Sequence, residues 1–242
     1  MIIRHDGTAQ FLITQPDHAA LAARIMQHWL GDGLAESPRR AAILLAVKEH
    51  DNGWREVDAA PIVDGTSGRL LDFITVADAV RRDVWPRAVE RLAAAPYAAA
   101  LVAQHALHVY RRYLPDPEWT SFFNGMEALR DRNLHAAQPV ALDDLRHDYV
   151  FVRAGDLASL TFCSAWTDDQ TDASGYVIRM EGERLVVTPD PFAGREWPID
   201  ITARELPNRS FSSDPDAARA YATAAHVKIS GVVTGGSVGS VG

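Results

Sequence analysis

Leu145, Tyr149, Val152, Asp156, Leu160 and Cys163 recur at steps of three and four residues, which places an aspartate within an otherwise largely apolar helical stripe. An ionised carboxylate on such a face needs a cation, because burying it unpaired would cost on the order of tens of kcal/mol by a Born estimate. That cation is either a basic side chain or a metal ion. Three histidines on the inward faces of earlier helical segments, His18, His50 and His105, fit a metal, and His50 is followed at once by Asp51. Imidazole and carboxylate together suit a divalent ion such as Fe, Mn, Zn or Mg, one or two in number, with imidazole favouring the transition metals. An ion so held would polarise a phosphoryl oxygen and bring the pKa of water bound to it to about 7, which is hydrolytic chemistry. Each residue alone also has a plainer reading. A lone histidine on an apolar face is usually a hydrogen-bonded core residue, and Asp156 could meet a buried arginine. The order His, His-Asp, Asp on separate helices is what points to an ion.

Helices must carry these residues to one place. Pro16-Asp17 opens a first helix that runs to about Leu30, with Leu21, Ala22, Ile25 and Trp29 facing inward and His18 one turn earlier. Ser37-Pro38 opens a second, which ends at His50-Asp51 before Asn52-Gly53. Adjacent helical residues point about 100° apart, so His50 and Asp51 reach one ion only if the helix end loosens there. Further helices are expected over about 76–94, from Pro96, over about 117–134 and over about 142–166, with Leu101, His105, His108 and Arg112 in one row on the fourth. Residues 55–74 read as a long ordered loop. Ile2-Ile3 and Phe11-Leu12-Ile13 flank Asp6-Gly7, a β-hairpin signal. After 168–174 the period changes from 3.6 to 2: 176–178, 185–187, 199–206 and 227–233 read as strands.

The expected fold is therefore mainly α, a helical bundle with a small antiparallel sheet made by the N-terminal hairpin and the C-terminal segment. The expected division is a helical core with its hairpin over 1–167, a β-rich segment packed on it over 168–234, and a flexible tail over 235–242. Hydrophobic residues at 47% and charged residues at 23% exclude a disordered chain. A net charge of -8 argues against a nucleic-acid polymer or an anionic membrane as partner. The single cysteine, Cys163, forbids an intrachain disulfide, and no apolar run approaches bilayer length, so a cytoplasmic setting is expected.

The pattern resembles the HD-domain superfamily, whose members are mostly helical, metal-dependent phosphohydrolases. The strings Gln15-Pro16-Asp17-His18-Ala19, Glu49-His50-Asp51-Asn52-Gly53-Trp54 and Asp156-Leu157-Ala158-Ser159-Leu160 also resemble a bacterial family of uncharacterised proteins, over at least residues 1–165. The superfamily resemblance implies a metal set of His18, His50, Asp51 and Asp156, with His105 as the extra histidine that serves a second metal or the scissile phosphate. It implies catalytic roles for Asp51, His105 and Arg112. Gln15, Trp54, Arg55 and His108 would contact a small phosphorylated or nucleotide-like substrate. Two other readings stay open: a non-catalytic ligand-sensing or interaction protein, and a redox enzyme like the di-iron oxygenases of the superfamily. A homodimer is compatible with all three.

Overall fold

The computed structural model describes residues 1–137, 140–171 and 175–236. In chain order the elements are strands β1 (Ile2–Asp6) and β2 (Ala9–Ile13), helices α1 (Gln15–Gln27) and α2 (Arg40–Glu49), and the short hairpin β3 (Ile62–Val63) and β4 (Leu70–Leu71). Then come helices α3 (Asp78–Glu90), α4 (Pro96–Val109), α5 (Pro117–Ala136) and α6 (Leu142–Ser164). Strands β5 (Gln170–Thr171), β6 (Val177–Glu181), β7 (Arg184–Thr188) and β8 (Glu196–Pro207) follow, then α7 (Asp214–Thr223) and β9 (Ala225–Gly235).

Helix starts follow capping chemistry. The Thr14 side chain accepts from the Asp17 amide ahead of Pro16 in α1, and Asp116 and Ser213 do the same for α5 and α7, each followed by an early proline. Helix α4 is apolar around its circumference over Ala98 through Ala103, all fully buried. A helix of that kind belongs inside. It packs against α2, α3, α5 and α6, while α1, α2 and α6 pack on one another.

The sheet corrects the expected fold. Seven strands run in the order β1-β2-β8-β9-β7-β6-β5, all neighbours antiparallel except the β7–β9 pair, which is parallel. With 48% of the described residues in helix and 21% in strand, this curled mixed sheet is a major element and the core is not all-α. Its strength lies in β8 and β9, which pair from Glu196↔Thr234 to Glu205↔Ala225. Sequence reading made both too short, because exposed Glu196, Thr202, Glu205, His226 and Lys228 alternate with the inward residues and obscure the ends. Helices α1 and α6 lie on the inner face, α1 against β8 and α6 against β1, β6 and β7. The main core therefore mixes helix residues with Ile178, Leu185, Ile199, Ile201 and Val233 of the sheet. A second cluster, Met1, Leu12, Leu206, Phe211 and Ala217, is covered by α7 and the β3–β4 hairpin.

Other differences are local. The 55–74 segment contains β3 and β4. Helix α4 stops at Val109, so Arg112 lies in a 3-10 turn, Arg111–Tyr113, and not in a helical row with His105 and His108. The expected tail begins inside β9 at Gly235, and Gly236 donates to the Val187 carbonyl at 2.8 Å. Residues 237–242 of that tail, and 172–174 of the expected polar break, lie outside the described residues.

Candidate metal centre

Four elements converge on one buried point. Helix α1 supplies His18 from its first turn, anchored where the Asp58 carboxylate accepts the Gln15 amide at 2.6 Å and the Met1 amino group at 2.6 Å. Burial pushes the Asp58 carboxyl up, against the opposing pull of that amino group. Helix α2 ends at Glu49. His50 keeps helical angles, but Asp51 departs from them at φ -107 and ψ 17. That departure lets two adjacent side chains turn to the same place, which a regular helix would forbid. The following 3-10 turn, Asn52–Trp54, rests on α3 so closely that a Cβ on Gly53 would stand 1.9 Å from the Val84 carbonyl oxygen. Helix α6 supplies Asp156, next to Gly155, where a Cβ would come within 2.9 Å of Met26 and 3.0 Å of Val47. The glycine thus brings α6 close to α1 and α2. Helix α4 supplies His105.

The donor atoms form a compact figure. His18 Nε2 lies 2.9 Å from Asp51 Oδ2 and 3.2 Å from His50 Nε2. His50 Nε2 is 3.4 Å from Asp51 Oδ2 and 3.4 Å from Asp156 Oδ1, and His18 Nε2 is 3.7 Å from Asp156 Oδ1. Ligands at about 2.1 Å around a tetrahedral ion stand roughly 3.4 Å apart, and cis ligands of an octahedral one roughly 3.0 Å apart. The measured edges fall about those values. His105 Nε2 is 3.7 Å from Asp156 Oδ2, at the edge of the figure. Among the described residues two overlapping groups could hold a metal ion: His18, His50 and Asp51; and His50, His105 and Asp156.

Surrounding hydrogen bonds aim the ring nitrogens. His50 Nδ1 donates to the Val47 carbonyl at 2.7 Å, an oxygen that can only accept. In a neutral His50 the Nε2 lone pair therefore faces the cluster. Ser159 Oγ donates to the Asp156 carbonyl at 3.0 Å and can accept from His18 Nδ1 at 2.8 Å, which turns the His18 Nε2 lone pair inward too. Such fixed outer hydrogen bonds are what metal-ligating imidazoles ordinarily have. Two lone pairs and two carboxylates at this spacing require a cation between them, a proton or a metal.

Without a metal the two carboxylates favour the protonated form of His50. Burial opposes its charge, but Asp51 and Asp156 beside it outweigh burial and raise its pKa well above 6.5. The reciprocal effect holds both carboxyls below the usual carboxylate range, again against burial: His50 and His18 act on Asp51, and His50 and His105 on Asp156. His105 differs. Burial lowers it to about 4, so it is neutral at physiological pH, with Nδ1 3.0 Å from the Tyr149 hydroxyl.

Access comes through Asp156, whose side chain retains 19% exposure where His18 and His50 have none. Two cavities meet at His105 and Asp156. One, about 80 Å³, is walled by Trp54, Phe73, Trp85 and Tyr110 and reached by Gln15 and Asp51. Gln15 Oε1 and Trp54 Nε1 are buried there with no hydrogen-bond partner among the described residues. The other, about 140 Å³, is lined by His108, Arg153 and Thr171. The structure thus brings His18, His50, Asp51, His105 and Asp156 together, sets Gln15 and Trp54 on one flank and His108 on the other. It does not bring in the remaining cations. Arg55 is exposed and pairs with Glu49 at 3.3 Å, and exposed Arg112 donates to the Tyr113 hydroxyl at 3.2 Å. Sequence reading gives Ser159, Tyr149 and Arg153 no role at the site, although Tyr149 lies on the stripe with Asp156 and positions 149, 153, 156 and 159 share a face of α6.

What these observations define is a protein with a buried histidine–aspartate centre, set in a helical layer that rests on a mixed β-sheet. Over residues 1–208 the chain matches the model of a family described as "Protein of unknown function (DUF3891)", and it belongs to that family. No curated protein and no solved structure matches it. Among the described residues no helix is long and apolar enough to cross a membrane.

Proposed function

We propose that the chain is a metal-dependent phosphohydrolase of HD-like type, acting on a small phosphorylated substrate. One observation carries the reading: two imidazoles with outward nitrogens committed to hydrogen bonds stand 3.2 Å apart, and each has an oxygen of Asp51 and of Asp156 at 2.9–3.7 Å, edges expected of ligands around a divalent ion. His18, His50, Asp51 and Asp156 would hold the ion, and the mixed nitrogen and oxygen set favours Fe, Mn or Zn over Mg. When bound, such an ion supplies Lewis-acid polarisation of a phosphoryl oxygen and acidification of water. The chain's own residues supply the rest. Ser159 and the Val47 carbonyl orient the two imidazoles. Neutral His105 stands at the open side, where it can complete the shell of a second ion or meet the phosphoryl group. Gln15 and Trp54 offer an acceptor and a donor to the organic part of the substrate, and the aromatic walls keep water from it.

Protein purified without a histidine tag and assayed for metal content tests this reading. Close to an equivalent of Fe, Mn or Zn, together with hydrolysis of phosphomonoesters that is lost in His50→Ala, is the expected result. Less than about a tenth of an equivalent, with no uptake on reconstitution, would sink it.

A further inference from the structure

Arg153 lies on α6 three residues before Asp156, the spacing, though in the reverse order, of the helix ion pairs Asp78–Arg81 and Asp143–Arg146. Here no such pair forms. The Asp156 carboxylate turns instead to His50 and His105. Among the described residues Arg153 has no ion pair or hydrogen bond, although it is partly buried. Of the other partly buried arginines, Arg39, Arg82 and Arg130 hold carboxylates and Arg40 and Arg204 hold backbone carbonyls. Arg153 lines the 140 Å³ cavity together with His105, His108, Asp156 and Thr171. Arg4, like Arg153, has neither kind of partner among the described residues but lines no part of this cavity. Among the described residues the one carboxylate lining it is that of Asp156, so the cavity brings a cation to the open side of the centre. The space, about 140 Å³, has room for a phosphoryl group. The guanidinium is a planar fork of donors that matches phosphoryl oxygens two at a time.

We infer that Arg153 is the phosphate anchor of the site: the phosphoryl group of the substrate enters the polar cavity between Arg153 and His108. There it lies against the metal centre while the organic group extends toward the aromatic cavity. The inference rests on the hydrolase reading above and assigns the charge-binding role to Arg153 in place of Arg55 and Arg112.

The test titrates inorganic phosphate into Mn-loaded full-length protein by calorimetry, in the wild type, Arg153→Gln and Arg153→Lys. Glutamine keeps much of the aliphatic stem, and circular dichroism with Mn affinity verifies that each variant is folded with its centre intact. Loss of a charge-assisted contact predicts phosphate affinity lowered about 10- to 100-fold in Arg153→Gln, a smaller loss in Arg153→Lys, and unchanged Mn affinity in both. Phosphate affinity within about twofold of wild type in Arg153→Gln overturns the anchor, and so does wild-type protein that binds Mn but no phosphate; either result leaves the metal reading standing. Protein that takes up neither overturns both. Arg153-dependent phosphate binding in protein that takes up no metal supports the anchor and removes the hydrolase.

Discussion

Gly53→Ala tests how the His-Asp doublet is positioned. An added Cβ would lie 1.9 Å from the Val84 carbonyl oxygen and 3.1 Å from the Ala88 Cβ. Ordinary contact needs about 3.4 Å, so the 52–54 turn and α3 must separate by roughly 1.5 Å at a packed interface. Two hydrogen bonds cross that gap, Asn52 Nδ2 to the Ala88 carbonyl at 3.3 Å and Arg91 to the Asn52 carbonyl, and both would stretch. Overpacking costs about 1–3 kcal/mol and each weakened hydrogen bond about 0.5–1.5 kcal/mol, giving about 2–6 kcal/mol in all. For a chain of this size that lowers the melting temperature by roughly 4–24 °C. Asp51 sits two residues away, 2.9 Å from His18 Nε2, and a displacement near 1 Å takes it out of the cluster. Metal affinity should therefore fall at least about tenfold alongside stability. Differential scanning calorimetry and a chelator-competition titration read the two effects. The control is Gly125→Ala, where a Cβ meets nothing within 4 Å and the mid-helix position should gain stability. Gly53→Ala that melts within about 1 °C of wild type and binds metal normally would refute the reasoning.

Three further outcomes follow from the same coordinates. His50 has a folded pKa raised above its unfolded value, so metal-free protein should have this stabilisation in full below about pH 6.5 and lose it as pH rises through the folded pKa. Because a metal must displace that proton, metal affinity should rise by up to about tenfold per pH unit over the same interval; denaturation and metal titrations that are flat in pH would contradict both. Asp156→Asn, nearly isosteric, should keep the fold in circular dichroism and weaken metal binding at least about 100-fold, whereas unchanged affinity would remove Asp156 from the shell. Asp148 is buried far from the centre and accepts from the Tyr97 hydroxyl at 2.6 Å and from Arg39. Asp148→Ala should cost about 2–4 kcal/mol in urea unfolding, less than a fully buried pair because Arg39 keeps water contact, with metal binding preserved.

The site was more legible in the sequence than the architecture around it. An aspartate in an apolar helical stripe and a histidine one turn into a capped helix are local signals, and periodicity reads them. The doublet needed a break in the helix after Glu49, and Gly53 marks where it comes, although its role is to admit the Val84 carbonyl as well as to loosen the turn. Arg112 was misplaced because the 3.6 period was extended past Val109, where α4 gives way to a 3-10 turn. The sheet was underestimated for a different reason. Its central pairing joins β8 to β9, and β9 lies parallel to β7 across an intervening strand and helix, and no local pattern specifies such non-local partners. Helix α7 did carry a readable start, Ser213 followed by Asp214-Pro215, and was passed over because its surroundings read as strand.

Helix α6 explains why site and sheet cannot be treated apart. Along one face it presents Tyr149 to His105, Arg153 to the polar cavity, Asp156 to the donor cluster and Ser159 to His18. Along another it rests on β1, β6 and β7. Phe162 lies so near β9 that a Cβ on Gly231 would stand 2.7 Å from its ring. A one-residue rotation of α6 turns every side chain by about 100°, which would remove Asp156 from the cluster. The packed sheet resists that rotation, because Phe162 and Cys163 would have to leave the core. The C-terminal strands therefore contribute no donor atom to the centre, yet they set the rotation and depth of the helix that carries its open-side carboxylate.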